Sequence, residues 1–168
     1  AVHFLDNVID MNRFPLPEIE KNTLANRKIG LGVMGFADML IRIGVAYNSE
    51  EGIKVGQQVM KFVTDEGKKA SIELAKLRGN FPNFDMSIFP ENGIKHMRNA
   101  TITTIAPTGS IGMIANASSG IEPFFSLVYV KNVLEKEGML YVNNLFEEIA
   151  KKRKFYSKEL MQKVADSG

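Results

Sequence analysis

An α/β, helix-rich fold is predicted by three features of this 168-residue chain. Apolar residues recur at spacings of three and four along several segments, most plainly over residues 49–78. Two β-branched or aromatic runs, 101–105 and 124–130, stand between turn-forming residues and suit strands. At 45% apolar and 24% charged, the chain can bury a sizeable core as one domain, residues 1–168, and no linker, repeat or low-complexity tract divides it.

The elements follow in order. Residues 2–12 carry apolar side chains at 4, 5, 8 and 9, a helical spacing that Pro15 and Pro17 close. Acidic and amide residues over 17–25 suit a short second helix. Residues 29–34 are brief, interrupted by glycine and extended, and 36–43 form a compact helix stopped by Gly44. The clearest helix is 49–78. Asn48 or Ser49 caps it, Glu50 and Glu51 favour its positive end, and Val55, Val59, Phe62, Val63, Ala70, Leu74 and Leu77 line one face before Gly79 and Asn80 end it. Residues 81–99 hold Pro82, Pro90 and Gly93 and read as a loop with one helical turn. Two helices, over 140–152 and 157–166, finish the chain. The Met residues read as core filling.

The most informative stretch is 100–112. Thr101, Ile102, Thr103, Thr104 and Ile105 are stiff at χ1 and favour an extended backbone, which Pro107 ends by removing a donor. Gly109 allows close approach of a ligand, and adopts a positive φ if the turn requires one. Thr108 and Ser110 offer hydroxyls, and a short helix starting near Ile111 would point free N–H groups back into the turn. Such a turn suits an anion, although Pro-Thr-Gly-Ser is also an ordinary turn composition.

Other signals are weaker. Gly30-Leu31-Gly32-Val33-Met34-Gly35 fits G-x-G-x-x-G, with Glu50 and Glu51 downstream where a ribose ligand would sit. That dinucleotide fingerprint needs an apolar strand before its first glycine, and residues 22–28 are polar, so close backbone packing is the preferred role of these glycines. His3, Asp6 and Asp10 share one helical face and could hold a metal, but a solvated face near a helix N-terminus explains them better. His96 has no partner at motif spacing. Lys151-Lys152-Arg153-Lys154 reads as a helix end favouring cations, and 21 basic against 19 acidic residues point to no nucleic-acid partner. No segment approaches the ~20 apolar residues of a membrane span, and residue 1 is not followed by the basic-then-apolar pattern of a secretory signal. The absence of cysteine excludes a disulfide framework and fits a reducing, cytoplasmic setting.

Three blocks in register carry a family resemblance. Residues 105–125 read Ile-Ala-Pro-Thr-Gly-Ser-Ile-Gly-Met-Ile-Ala-Asn-Ala-Ser-Ser-Gly-Ile-Glu-Pro-Phe-Phe, and this block closely resembles the substrate-phosphate segment of ribonucleotide reductase large subunits. Residues 26–40 resemble the same family, with Gly32-Val33-Met34-Gly35-Phe36-Ala37-Asp38 most similar to its adenosylcobalamin-dependent class. The third block, Phe4-Leu5-Asp6-Asn7-Val8-Ile9-Asp10 through Asn12-Arg13-Phe14-Pro15-Leu16-Pro17, precedes them in the family's order.

The resemblance implies a fragment from the later half of a ten-stranded α/β barrel, part of an oxidoreductase that makes deoxyribonucleotides for DNA replication by a radical mechanism. It implies adenosylcobalamin in the parent enzyme, with none bound tightly by this chain alone. Implied partners are a ribonucleotide di- or triphosphate, the remainder of the subunit and a second copy in a homo-oligomer. Matched residue by residue, Pro107, Thr108, Gly109, Ser110 and Ile111 would line the substrate's phosphates. The family's radical cysteine and reducing cysteine pair would lie outside this chain, which holds no catalytic residue. Two rival readings are a non-catalytic helical scaffold and a dinucleotide-binding oxidoreductase domain.

Thiyl and dithiol chemistry cannot come from a chain without cysteine. The isolated chain, incubated with adenosylcobalamin, dithiothreitol and each ribonucleotide, should therefore yield no deoxynucleotide above a mock preparation. Product above that background would refute the reading.

Overall fold

A computed structural model describes residues 1–131 and 139–167. Among these residues eight helices and an antiparallel pair of strands follow one another: α1 (Val2–Met11), α2 (Pro17–Asn26), α3 (Phe36–Ile43), α4 (Glu50–Arg78), α5 (Ile88–Glu91), α6 (Gly109–Ala115), β1 (Val128–Lys131), β2 (Met139–Val142), α7 (Asn144–Lys152) and α8 (Lys158–Ser167). A 3-10 turn, Phe84–Met86, precedes α5. The helix-rich α/β expectation holds, and the ends of α1 to α4 fall within a residue or so of their sequence-based limits. Ser49 caps α4 as expected, its hydroxyl accepting from the Gly52 N–H at 3.0 Å.

The last third differs. Residues 140–142, expected to begin a helix, form β2 instead, paired antiparallel with β1 so that Val128 faces Val142 and Tyr129 faces Tyr141. Aromatic and β-branched side chains gain more from that cross-strand pairing than from a helical turn. Asn143 then caps α7, its side chain accepting from the Phe146 N–H at 3.1 Å. The strand expected over 124–130 is shorter, starting at Val128, because Pro123 and the 119–122 turn keep the preceding residues out of the ladder.

The 101–105 run, expected as a strand, makes a single isolated bridge at Thr103, because its partner is the short glycine-rich segment. Ile29 N–H donates to Thr101 O at 3.1 Å, Leu31 N–H to Ile102 O at 2.7 Å, and Thr104 N–H to Leu31 O at 3.1 Å, a parallel register around Leu31 and Thr103. The glycines permit this approach: a Cβ on Gly30 would lie 2.9 Å from the Thr104 methyl, and one on Gly32 3.2 Å from the Thr104 carbonyl. The chain before Gly30 is α2, not an apolar strand, so the dinucleotide fingerprint lacks its required context.

The core gathers Val2, Ile9, Ile29, Leu74, Phe81, Phe84, Met97 and Ile102, with Phe81, Phe84 and Phe89 in mutual aromatic contact. Met97 and Met161 are buried as expected of core methionines, whereas Met11, Met86 and Met113 are exposed, so core filling describes only part of the set.

Beside this core lies a buried ionic centre. Asp6, expected on a solvated face, is 0% exposed. One carboxylate oxygen accepts from Arg27 Nε at 2.9 Å and Asn99 Nδ2 at 3.0 Å, while the other accepts from Arg98 Nε and Arg78 Nη1, each at 3.2 Å. Arg27 also reaches Asp10 at 2.7 Å. Its position follows from its backbone: Arg27 takes a left-handed conformation (φ 45°) at the C-cap of α2, which turns the side chain back toward α1. Helical spacing alone put Asp6 beside Asp10 and could not reveal three arginines brought from three other segments.

Burial by itself would push the Asp6 carboxyl up, but hydrogen bonds and charge from Arg27 and Arg98 outweigh it and hold the group below the ordinary carboxylate range. A folded-state value below the unfolded one means the stabilisation is fully present above the unfolded value of about 3.9 and is lost as pH falls through the folded value. Asp6→Ala should cost about 3–5 kcal/mol by removing the carboxylate that Arg27, Arg78 and Arg98 share and leaving the buried Arg27 with Asp10 alone. Thermal melts from neutral pH down to pH 3 should show that the variant has lost the part of the acid sensitivity belonging to this carboxyl. Equal melting temperatures for variant and wild type at neutral pH would contradict the assignment.

Candidate functional site

The extended segment from Thr101 ends at Pro107, and the chain turns directly into α6. The helix begins at Gly109, two residues before the expected start, so Gly109, Ser110 and Ile111 form its first turn. Gly112 N–H closes that turn on Thr108 O at 2.7 Å. The N–H groups of Gly109, Ser110 and Ile111 find no acceptor among the described residues, and the exposed Ser110 hydroxyl is also unengaged. Pro107, with no N–H of its own, is exposed beside them. The five residues singled out from the sequence are thus contiguous on one accessible rim.

The strain falls elsewhere than expected. Thr108, not Gly109, has the positive φ, at 51°. At Gly109 a Cβ would meet nothing within 4 Å. A β-branched residue in the left-handed region costs of order 1–3 kcal/mol and persists only where its surroundings fix it. Here they do: Thr108 Oγ1 accepts from the Gly120 N–H at 2.7 Å. Gly120 is itself at φ 49°, and a Cβ there would lie 2.8 Å from the Ala106 carbonyl, so the crossing closes only with glycine. One of the two Thr108 lone pairs is thereby committed to the fold, and its hydroxyl proton is left to donate to an anion.

The loop that grips Thr108 is anchored in turn. Ala117 N–H donates to Gly112 O at 3.0 Å, and Ser118 N–H to the Asp38 carboxylate at 2.7 Å. Gly35 N–H, at the start of α3, donates to Ser118 O at 2.8 Å. The buried Ser118 hydroxyl has no hydrogen-bond partner among the described residues, so Ser118 is held through its backbone. The Thr108, Gly120 and Asp38 contacts were missed in the sequence, where the only signal was the run of small residues over 117–120.

A cleft of about 710 Å³ adjoins α6, lined among others by Asp38, Arg42, Glu122, Tyr129, Tyr141 and Glu148. Three carboxylates against one guanidinium make its walls unfavourable for a phosphate, and Arg42 stands 4.0 Å from Glu148. At the rim, where Gly109 borders this cleft, the unpaired amides of 109–111 and the Ser110 hydroxyl are the donors that suit an anion. At about 710 Å³ the cleft has room for a drug-sized ligand and not for a corrin with its adenosyl group.

The remaining candidates resolve as structure. Among the described residues no group of three His, Cys, Asp or Glu side chains could hold a metal. His3 Nε2 lies 2.9 Å from Arg78, and Asp6 and Asp10 are taken by arginines. His96 is exposed. Lys151 pairs with Glu147 at 2.7 Å at the end of α7, as its helix-end reading implies. Among the described residues no helix is long and apolar enough to cross a membrane.

Comparison with known proteins gives one consistent family. The model of the family "Ribonucleotide reductase, barrel domain" matches residues 1–97 and 90–168. A vitamin B12-dependent ribonucleoside-diphosphate reductase of Thermoplasma acidophilum is 54% identical over all 168 residues of the chain, which cover 22% of its length. A protein of the same description from Mycobacterium tuberculosis is 42% identical over the whole chain and 24% of its own length. Among solved structures, the Actinobacillus ureae class Id ribonucleotide reductase alpha subunit superposes with a TM-score of 0.77 at 26% identity, over 97% of this chain and 29% of that one. The chain therefore spans about a quarter or less of the curated relatives it matches.

Proposed function

Because the chain belongs to the ribonucleotide reductase barrel-domain family, we propose that the protein of which it forms part reduces ribonucleotides, and that this chain holds the substrate's phosphates on Pro107, Thr108, Gly109, Ser110 and Ile111. The observation that carries the reading is the set of three unpaired amides at 109–111, exposed at the end of an extended segment and backed by a strained, clamped Thr108. Preorganised backbone donors need no movement to meet a doubly charged group, and the aligned peptides behind them favour negative charge. Phosphates fixed there hold the ribose in one place, which matters because a small misplacement of the reacting atoms loses rate steeply.

The relatives' descriptions favour a ribonucleoside diphosphate as substrate and a B12 cofactor. When bound, adenosylcobalamin would supply the radical that starts the reaction, at residues outside this chain. The radical cysteine and the reducing cysteine pair would likewise lie elsewhere in the subunit, so residues 1–168 form a single barrel portion with a binding role and no catalytic residue. The dithiol electrons such a reaction consumes go with a reducing, cytoplasmic setting.

Ser110→Ala in the intact reductase should weaken nucleotide binding by roughly 1.5–3 kcal/mol, the value of a hydrogen bond to a charged acceptor. Gly109→Val should be worse, since its side chain would stand where the phosphate approaches. The fold itself has room at that position, so the variant is expected to melt normally. If both variants bind nucleotide and turn over at wild-type levels, the phosphate-turn assignment is wrong.

We also propose that the chain, taken alone, self-associates. Residues 101–104 pair on one side only among the described residues, and Ile105, Ile111, Met113, Ile114 and Phe125 are exposed nearby. Sedimentation at micromolar concentration should show a dimer or larger species. A clean monomer would count against it.

A further inference from the structure

We propose that Asp38, on α3 and 80 positions from its partner in sequence, is the positioning residue that sets the geometry of the phosphate turn. The inference rests on the reading of residues 107–111 as that turn and adds a residue outside it.

The linkage is a short series of backbone-directed bonds. The Asp38 carboxylate accepts from Ser118 N–H at 2.7 Å while Gly35 N–H donates to Ser118 O at 2.8 Å, so the peptide at Ser118 is held from both sides by the start of one helix. Two residues on, Gly120 N–H donates to Thr108 Oγ1 at 2.7 Å, and this contact keeps Thr108 at φ 51°. Thr108 in turn closes the first turn of α6 through its carbonyl, at 2.7 Å from Gly112 N. A shift of Ser118 therefore has two routes to the amides at 109–111: through Gly120 and Thr108, and through the Ala117 bond to Gly112.

Asp38 suits the task in charge and place. It sits in the first turn of α3, where the aligned peptides favour a carboxylate, and a charged acceptor makes a stronger bond than a neutral one. Its neighbours in the cleft, Glu122, Glu148 and Arg42, are not among its hydrogen-bond partners, so the contact with Ser118 defines its role. The glycine-rich segment that looked like a dinucleotide fingerprint thus contributes to the site by another route: it delivers α3, and with it Asp38, to the back of the anion turn.

Calorimetry on the intact reductase tests this, with a ribonucleoside diphosphate and inorganic pyrophosphate as probes, since both read the turn without needing the radical. Asp38→Ala should raise both Kd values about tenfold, as expected for one lost charge-assisted bond. Asp38→Asn, which still accepts from Ser118 N–H, should restore most of the affinity. Asp38→Glu is the second variant should the alanine form fail to fold; it keeps the charge, moves the acceptor by one methylene, and should bind between wild type and alanine. A role confined to stability would lower the melting temperatures and leave both Kd values unchanged, which would overturn the proposal. If Asp38→Ala binds normally while Ser110→Ala does not, Asp38 is not a positioning residue and the turn assignment stands. If Ser110→Ala and Gly109→Val also bind normally, the turn assignment falls and this inference with it.

Discussion

The buried Asp6 carboxylate is the constraint on which the rest of this chain depends. Its two oxygens take four donors from Arg27, Arg78, Arg98 and Asn99, which belong to the end of α2, the end of α4 and the segment just ahead of residue 101. A carboxylate with no exposure is tolerable only when its charge is met and its lone pairs are filled, and both conditions hold. The same geometry fixes the backbone. Asn99 Nδ2 bonds the Arg27 carbonyl at 3.1 Å, and Ser71 on α4 bonds both the side chain and the N–H of Asn99. Residue 27, ahead of one segment of the parallel pairing, and residue 99, ahead of the other, are thereby held in register by side chains as well as by the ladder.

From that register the site follows. Ile29 and Leu31 pair with Thr101 and Ile102, the glycines between them let Thr104 come close, and the extended chain reaches Pro107 aimed at the start of α6. There the backbone is forced into a conformation that threonine disfavours, and the Gly120 contact holds it. Strain of this sort, over-determined by tertiary bonds, leaves a turn that is rigid before a ligand arrives. The free amides at 109–111 are a consequence of where the helix begins, and the helix begins there because Thr108 accepts the first intrahelical bond.

Local chemistry made most of the elements legible in the sequence. Ser49 and the acidic first turn announced α4, Gly44 ended α3, and the β-branched run at 101–105 with Pro107 and Gly109 marked both the extended segment and its turn. What could not be read locally depended on distant partners. Asp6 looked solvated because spacing shows which residues share a face and not what packs against it. Residues 140–142 looked helical because the pairing that makes them a strand lies with Val128 to Val130. The left-handed Thr108 was hidden by the neighbouring glycine, the residue to which a positive φ would ordinarily be given. Of the candidate site, the five rim residues were visible through composition and a matching block, while Asp38 and Gly120 emerged only from tertiary hydrogen bonds.

The central claim is that the amides of Gly109, Ser110 and Ile111 receive the substrate's phosphates. A crystal structure of the intact reductase with a ribonucleoside diphosphate bound tests it most directly. Phosphate oxygens should lie about 2.7–3.2 Å from those three nitrogens, with Thr108 still left-handed and still bonded to Gly120. Phosphates bound elsewhere, with the 109–111 amides facing only solvent or protein, would contradict it.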